Sequence, residues 1–236
     1  MDLSESVENE WLCHAILKAY NIPVANTEMM IFDGTKALVV ERFDRRWSTD
    51  KSWVIRLPQE DMCQALNIPP NLKYESDGGP GIEDIMKLLL GAENSLEDRK
   101  MFMTLVFLFW TLGATDGHAK NFSIFLLPKG AFQLTPAYDI ISAYPILKSK
   151  KEISLAMAAR GKNRHHEWDG ISPRHWLSTA KICNFPDSEM AQIMDRIVGD
   201  MDRVIDDVGS KLPAGFPEKV ATPFFDGMKS AKDRMG

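Results

Sequence analysis

The feature that most limits the fold is an almost unbroken apolar run, FMTLVFLFWTL, at residues 102–112. Such a run lies either in a protein core or in a membrane, and this one is shorter than the roughly 20 residues that a bilayer-crossing helix needs. Ser95, with Asp98 three residues later, is typical of a helix N-terminus, so we expect one long helix from Ser95 to Gly113. The chain should therefore build its core around a buried helix and should not span a membrane.

Upstream of this helix, the pattern favours a small mixed α and β region. The segment VENEWLCHAILKAY has apolar residues at helical spacing, with Ser4 or Ser6 as its candidate cap. Two extended segments, EMMIFDG and TKALVVERFD, then meet at Asp33-Gly34, a dipeptide suited to a tight hairpin turn. A third extended segment, SWVIRLP, is expected to extend the same sheet.

From about Pro58 onward, the sequence favours helices and one further hairpin. Helices are predicted at residues 59–66 and 82–90, separated by the glycine-rich segment YESDGGPG, which we expect to be a flexible loop. After the long helix, FSIFLL and FQLTPAYD predict a hairpin that turns at residues 128–130. The polar segment RGKNRHHEWDG is expected to be a mobile loop. The remaining stretches predict amphipathic helices: HWLSTAKICNF, DSEMAQIMDRIVGDMDRVIDDVGSKL and FPEKVATPFFDGMKSAKDRM.

Charge and cysteine content narrow the class of protein. The net charge of -5 argues against a protein that binds polyanions such as DNA over its whole surface. Three scattered cysteines without a CxxC pair fit a reducing compartment, and the acidic start MDLSESVENE lacks the features of a secretory signal, so a cytoplasmic protein is expected. One local basic stretch still leaves contact with DNA open: Lys148, Lys150, Lys151, Arg160, Lys162 and Arg164.

Three polar side chains around the second hairpin suggest a shared site. Asp116 follows the long helix, Asn121 stands five residues later where a strand starts, and Asp139 ends the returning strand. Because a hairpin returns near its origin, Asp139 should lie beside Asn121. Asn121 and Asp139 would then suit a nucleotide-bound Mg²⁺, with Asp116 orienting or deprotonating the attacking hydroxyl. Closing a helix and forming turns would use the same residue types, and their spacing alone leaves both interpretations open.

Longer motifs carry a resemblance to a known family. TDGHAKNFSIF followed by LTPAYDIISAYP, with VERFDRRW, RLPQEDMCQAL and KYESDGGPGI upstream, closely resembles the HipA family of bacterial toxin kinases. The resemblance implies an α+β, protein-kinase-like fold and a type II toxin-antitoxin kinase that uses ATP and Mg²⁺ to phosphorylate a serine or threonine of a protein. In the better-known members that protein is an aminoacyl-tRNA synthetase. Members also pair with a small HipB-like helix-turn-helix antitoxin, through which DNA contact would arise.

The resemblance also implies roles for residues of the loop. Asp116 matches the catalytic aspartate, and Asn121 and Asp139 match the magnesium ligands. Lys120 is expected either to neutralise the transferring phosphoryl group or to be a solvated surface lysine. His118 is assigned to the catalytic set with Asp116 and Lys120, as a hydrogen-bond donor that braces the loop rather than as a general base, because Asp116 already has that role.

The nucleotide is expected at a hinge formed by residues 41–44. Glu41, Arg42 and Phe43 match the family segment that lies along the adenine, where extended backbone offers one N–H and one C=O and Phe43 gives apolar cover. Gln59 and Tyr138 are assigned to the same cofactor-binding set. A strand that ends in a charged turn is the plain alternative for VVERFDR.

The same resemblance divides the chain into two parts. Residues 1–57 are expected to form a partial N-lobe, a helix plus a β-hairpin, and residues 58–236 a mostly helical C-lobe with the catalytic loop at 115–139. Glu10 stands where kinases place a helical glutamate, but the sequence shows neither its partner lysine strand nor a phosphate-covering glycine loop. We therefore expect this chain to match the C-terminal half to two-thirds of a family member and to bind ATP with Mg²⁺ weakly by itself.

Two other functions compete with a kinase. The first is a truncated, catalytically weak module that binds an antitoxin or another partner and keeps a relic of the kinase site. The presence of Asp116, Asn121 and Asp139 together weighs against a relic. The second is a metal-dependent phosphohydrolase, which would need a richer cluster of Asp and His ligands than the sequence offers.

Overall fold

Seven α-helices and nine short β-strands, joined by 3-10 turns, make up residues 4–235, the part of the chain that the computed structural model describes. The first half contains α1 (Ser6–Ala19), β1 (Thr27–Phe32), β2 (Thr35–Val40), β3 (Arg45–Trp47), β4 (Val54–Arg56), β5 (Gln59–Asp61), α2 (Met62–Ala65), α3 (Ile82–Leu88) and α4 (Ser95–Thr111). The second half contains β6 (Ser123–Leu126), β7 (Phe132–Leu134), β8 (Ser154–Arg160), β9 (Arg164–Glu167), α5 (Pro173–Ile182), α6 (Asp187–Ser210) and α7 (Glu218–Asp233).

The long apolar helix is confirmed as the centre of the core. Along α4, Phe102, Phe107 and Trp110 are fully buried, and each such ring contributes roughly 1.5–3 kcal/mol on leaving water. Trp110 stacks on Trp168, and each indole N–H donates to the other residue's backbone carbonyl, at 3.2 and 2.8 Å. Ser95 is the first helical residue rather than the cap, because Asn94 occupies the cap position without a side-chain hydrogen bond.

The first helix and hairpin form as predicted. Strands β1 and β2 pair antiparallel, and Asp33 and Gly34 both have positive φ, 48° and 77°, as a tight two-residue turn requires. The predicted serine cap of α1 is wrong, since Glu5 holds the cap position and makes no side-chain cap bond. Helix α1 packs on the C-terminal helices, where the Tyr20 hydroxyl donates to the Ile197 carbonyl at 2.9 Å.

Two predictions around Pro58 are wrong. SWVIRLP does not extend the first sheet; its core is β4, which pairs with β3 in a second hairpin of its own. The tip of that hairpin is closed by the Asp50 carboxylate, which accepts from Ser48 Oγ at 2.6 Å and from the Ser52 amide at 3.1 Å. Residues 59–61 are not helical either, because they pair with β6 as strand β5, and the short α2 begins only at Met62.

The second predicted hairpin is confirmed, and β5, β6 and β7 form one three-stranded sheet beside α4. Strand β7 ends at Leu134, earlier than expected. Helices α5, α6 and α7 are also confirmed. The resulting mixture of helices and short hairpins confirms the predicted α+β class.

Two segments expected to be loose are ordered instead. The segment with the two neighbouring histidines contains strand β9, which pairs with the unpredicted strand β8. The glycine-rich segment at residues 74–81 is packed, and its Glu75 is only 8% exposed. Within residues 4–235, no helix is both long and apolar enough to cross a bilayer, and the three cysteines are buried thiols. The division of the chain near residue 57 stays a prediction.

Candidate active site

The loop that follows α4 exposes one carboxylate to solvent, while the residues that come directly after it are buried. The Asp116 side chain is 56% exposed, whereas Gly117, His118 and Ala119 behind it are buried. The backbone folds back on itself, with the His118 amide donating to the Asp116 carbonyl at 2.8 Å. Asp116 is therefore held firmly by its backbone while its carboxylate remains available for chemistry.

Asn121 joins the two ends of the predicted site. Its buried Nδ2 amide donates to the Asp116 carbonyl at 2.9 Å and to the Asp139 carbonyl at 3.2 Å. Both amide hydrogens are thus used to hold the loop and the returning chain together. The Oδ1 oxygen remains as the atom of this side chain that can bind a cation.

Asp139 returns beside Asn121, although not at the end of a strand. After Leu134 the chain leaves the sheet, and Ala137 forms a parallel bridge with Val24. Asp139 then takes a left-handed backbone conformation, with φ of 56°, which non-glycine residues adopt at some cost and which is common at functional sites. Its exposed carboxylate has no hydrogen-bond or ion-pair partner within residues 4–235.

The donor set fits a magnesium ion better than a structural transition metal. One amide oxygen from Asn121 and one carboxylate from Asp139 are hard ligands, and Mg²⁺ usually takes one or two protein oxygens plus phosphates and waters. The described residues contain no group of three or more His, Cys, Asp or Glu that could hold a metal by themselves. Phosphate oxygens of a nucleotide would have to complete such a site.

Lys120 and His118 occupy different surroundings in this loop. Lys120 is half-buried, and its backbone carbonyl accepts from the Tyr138 hydroxyl at 2.9 Å. His118 is 4% exposed, its Nδ1 has no partner within the described residues, and its Nε2 lies 3.7 Å from the Asp116 carboxylate. Burial holds the pKa of His118 below its ordinary value, against the opposing charge of Asp116, so the imidazole is neutral at pH 7.

All five residues predicted to bind the cofactor line one cavity. It has a volume of about 260 Å³ and lies between the end of β2, the start of β5 and Tyr138. The Phe43 ring packs against Phe125 and Tyr138, with ring centres 5.6 Å apart in each case. Tyr138, which lines this cavity, directly precedes Asp139, one of the two predicted metal ligands. Its lining residues are Ala25, Val40, Glu41, Arg42, Phe43, Asp44, Gln59 and Tyr138.

The polar groups of the cavity are partly committed to other residues. The Arg42 guanidinium makes two 2.7 Å hydrogen bonds to the buried Asp44 carboxylate, which hold the pKa of Asp44 below its usual range. The Glu41 amide donates to the Asn26 carbonyl, but the Glu41 carbonyl and the Phe43 amide have no backbone partner within residues 4–235. Gln59 Oε1 is buried without a partner there. One N–H and two carbonyl oxygens therefore remain for a ligand.

Two further residues near the site, Tyr74 and Glu10, were not among the predicted site residues. The Tyr74 hydroxyl donates to Asp116 Oδ1 at 2.6 Å, across 42 positions in sequence, and no local pattern links the two residues. Glu10 of α1 has its pKa raised to about 7, first by burial and then by the charge of Asp139. Its place on the first helix was noticeable in the sequence, whereas its proximity to Asp139 was not.

Comparison with known proteins identifies the family. A model of the HipA-like C-terminal domain matches residues 1–205. Y4mE of Sinorhizobium fredii, named as a proposed kinase, is 35% identical over 206 residues, which cover 83% of this chain and 48% of that protein. The serine/threonine-protein kinase toxin HipA of Shewanella oneidensis is 30% identical over 162 residues, which cover 64% of this chain and 37% of that protein. The chain thus spans half or less of the length of these relatives.

Solved structures show the same fold. A chain of the Shewanella oneidensis complex of HipA, HipB and operator DNA has a TM-score of 0.87 at 24% identity, with 97% of this chain and 55% of that chain covered. The Helicobacter pylori proinflammatory kinase CtkA has a TM-score of 0.64 at 12% identity, with 97% and 83% covered. This chain therefore belongs to the family of HipA-like C-terminal domains and has its α+β, protein-kinase-like fold.

Proposed function

We propose that this chain carries the catalytic loop and adenine pocket of a HipA-like serine/threonine kinase that uses ATP and Mg²⁺. The observation that carries the proposal is the double hydrogen bond of Asn121, which ties the backbones of Asp116 and Asp139 to one side chain. Tyr138, the residue before Asp139, lines the 260 Å³ cavity. A turn function would not need two exposed carboxylates whose backbones are both held by one buried amide. Phosphoryl transfer needs this grouping, because its catalysis is mostly positioning and electrostatics.

In this proposal Asp116 acts on the acceptor hydroxyl. As the acceptor oxygen bonds to the γ-phosphorus and the bond to the ADP oxygen breaks, the hydroxyl proton passes to the Asp116 carboxylate. Asn121 Oδ1 and Asp139 would hold Mg²⁺, which when bound neutralises charge on the phosphate oxygens. Lys120, on the same loop, is proposed to add a positive charge near the transferring group. His118 is buried and neutral, so its role is to support the loop.

The cavity at the hinge is proposed for the adenine. Phe43 offers an aromatic face, and the unpartnered Glu41 carbonyl and Phe43 amide match the donor and acceptor along a purine edge. Gln59 Oε1 gives a further buried acceptor for an exocyclic amine. Arg42, by contrast, is turned into its ion pair with Asp44, so its side chain is proposed to stiffen the hinge rather than to contact the nucleotide.

Partner and substrate are proposed from the relatives. One similar protein is a kinase toxin, and a similar structure is a complex with HipB and operator DNA. We therefore propose a HipB-like antitoxin as a partner, DNA contact through that complex, a protein substrate of the aminoacyl-tRNA synthetase type and a place in the cytoplasm. Because the chain spans half or less of the curated relatives, these belong to the whole protein.

The test is phosphoryl transfer from labelled ATP by the purified full-length protein, with calorimetry of nucleotide binding beside it. Asp116→Asn should lower kcat by about 10²–10⁴-fold and leave the Kd for ATP with Mg²⁺ almost unchanged. Asp139→Asn should instead weaken Mg²⁺-dependent nucleotide binding. Asp169→Asn, an exposed turn aspartate far from Asn121 in sequence, is the control and should change neither quantity.

Two results would overturn parts of this proposal. Wild-type transfer rates in Asp116→Asn would show that this carboxylate is not the base. An absence of nucleotide binding, with capture of a HipB-like partner intact, would favour the partner-binding module instead.

A further inference from the structure

The segment at residues 73–81, which is Lys73 followed by the glycine-rich residues 74–81, lies directly against Asp116, the proposed base. The Tyr74 hydroxyl donates to Asp116 Oδ1 at 2.6 Å, and the Tyr74 ring meets the buried His118 ring edge-on at 5.1 Å. The Lys73 ammonium lies 4.9 Å from the centre of the Tyr74 ring. Tyr74 is thus held on three sides, by a carboxylate, an imidazole and a cation.

A buried carboxylate anchors this segment from behind. Glu75 accepts a 2.7 Å hydrogen bond from the Ala158 amide and pairs with Arg164 at 2.9 Å and with Arg160 at 4.0 Å. A Cβ at Gly79 would lie 2.0 Å from the Leu72 carbonyl oxygen, so the segment doubles back tightly. Two arginines of the basic stretch are therefore paired with Glu75, and Tyr74 cannot easily move away from Asp116.

The hydrogen bond has one possible direction at physiological pH. Burial, the hydrogen bond and the charge of Asp116 together raise the pKa of Tyr74 to about 12, so its hydroxyl keeps its proton and donates. Among residues 4–235, Asp116 Oδ2 has no hydrogen-bond partner, and His118 Nε2 lies 3.7 Å from it, too far for a hydrogen bond. The two carboxylate oxygens of Asp116 are therefore not equivalent.

We propose that Tyr74 is a positioning residue that fixes Asp116 Oδ1 by its hydroxyl, so that Oδ2 faces the acceptor hydroxyl of the substrate. Without this bond, a carboxylate that is 56% exposed would rotate freely and orient the acceptor poorly. This role rests on the proposed kinase function. It makes the segment at residues 73–81 part of the side of the site that holds the acceptor hydroxyl.

The first test compares two tyrosine-to-phenylalanine variants of the full-length protein. Tyr74→Phe removes only the hydroxyl and should lower kcat by about 10–100-fold, with the KM for ATP changed by less than about twofold. Tyr20→Phe is the matched control, because it also loses one hydrogen bond to an oxygen, the Ile197 carbonyl, but lies away from the site. It should keep the wild-type kcat and lose only some thermal stability.

The second test does not need activity. The chain has four tyrosines, and carbon-labelled tyrosine NMR would follow each ring as the pH is raised, with the Tyr74 signal assigned by its loss in Tyr74→Phe. In Asp116→Asn, the pKa of Tyr74 should fall below about 12, because the anion and its strong acceptor are gone. Tyr138, whose pKa is also about 12 but whose charged neighbours are Asp61 and Asp139, should titrate unchanged.

The outcomes separate this inference from the kinase proposal. An active enzyme whose Tyr74→Phe variant keeps full kcat would overturn the positioning role and leave the kinase proposal standing. Phosphate found on Tyr74 by mass spectrometry would also overturn it, because Tyr74 would then be an acceptor. If the wild type transfers no phosphate, the kinase proposal fails, and an unchanged Tyr74 titration in Asp116→Asn would reject the hydrogen bond itself.

Discussion

The two halves of the candidate site are stabilised in different ways. The loop half, residues 115–139, is tied together by hydrogen bonds between distant groups, such as those from Asn121 Nδ2 and from the Tyr138 hydroxyl to the Lys120 carbonyl. The hinge half, residues 41–57, relies on pairs close in sequence, such as Arg42 with Asp44. The β3–β4 hairpin of this half also exposes two tryptophans, Trp47 and Trp53, which are 61% and 59% accessible to solvent.

The loop half depends on the folded core, whereas the hinge half depends mainly on local contacts. The loop half rests on buried β6 and α4, so its geometry exists only when the whole core is folded. Apart from the packing of Phe43 on Phe125 and Tyr138, the hinge half is specified by contacts close in sequence, so it can deform without opening the core. Substitutions in the loop half should therefore lower global stability more than equal substitutions in the hinge half.

The largest effect is expected for Asn121→Ala. It removes the donor from two backbone carbonyls at a buried position, so the free energy of unfolding should fall by about 2–4 kcal/mol. Asn26→Ala is the matched change beside the hinge half, where Asn26 Nδ2 donates to Glu41 at an exposed site, and it should cost less than about 0.5 kcal/mol. Urea unfolding of both variants measures this, and equal losses would erase the distinction between the halves.

The sequence predicted local features of both halves well. The Asp33-Gly34 turn follows from residue preference alone, and the structure has both residues at positive φ. The apolar run at residues 102–112 likewise predicted a buried helix, and α4 is buried. The turn between β3 and β4 was missed because it depends on the Asp50 side chain bonding to Ser48 and Ser52, not on a glycine or proline signal.

Contacts between residues far apart in sequence could not be predicted from the sequence. Strand β5 forms because residues 59–61 pair with residues 123–125, and their own pattern favoured a helix. The bond from Tyr74 to Asp116 joins residues 42 positions apart, so neither residue type nor spacing points to it. Asp139 was placed beside Asn121 by the resemblance and by hairpin geometry, although the strand ends five residues before it.

An intermediate effect is expected for Asp44→Asn in the hinge half. Its two arginine partners lower the pKa of Asp44, so its ion pairs contribute above the ordinary aspartate range and are lost as the pH falls through the lowered value. Because Arg42 is 59% exposed, the loss at pH 7 should be only about 1 kcal/mol. Unfolding at pH 7 and near pH 2 tests this: the difference from wild type should shrink in acid, and a constant difference would reject the ionic origin.

The smallest effect on stability is expected when Asp139 or Asp33 is replaced with Gly, and only the change at Asp139 should also abolish a function. Asp139 and Asp33 both have left-handed backbones, with φ of 56° and 48°, one in the loop half and one at the tip of the first hairpin. Replacing either with Gly relieves strain but adds entropy to the unfolded chain, so each variant should gain at most about 1 kcal/mol. Only Asp139→Gly should also lose Mg²⁺-dependent nucleotide binding, measured by calorimetry. If Asp139→Gly bound nucleotide as wild type does, the strained backbone would be a turn requirement, and Asp139 would not be a metal ligand.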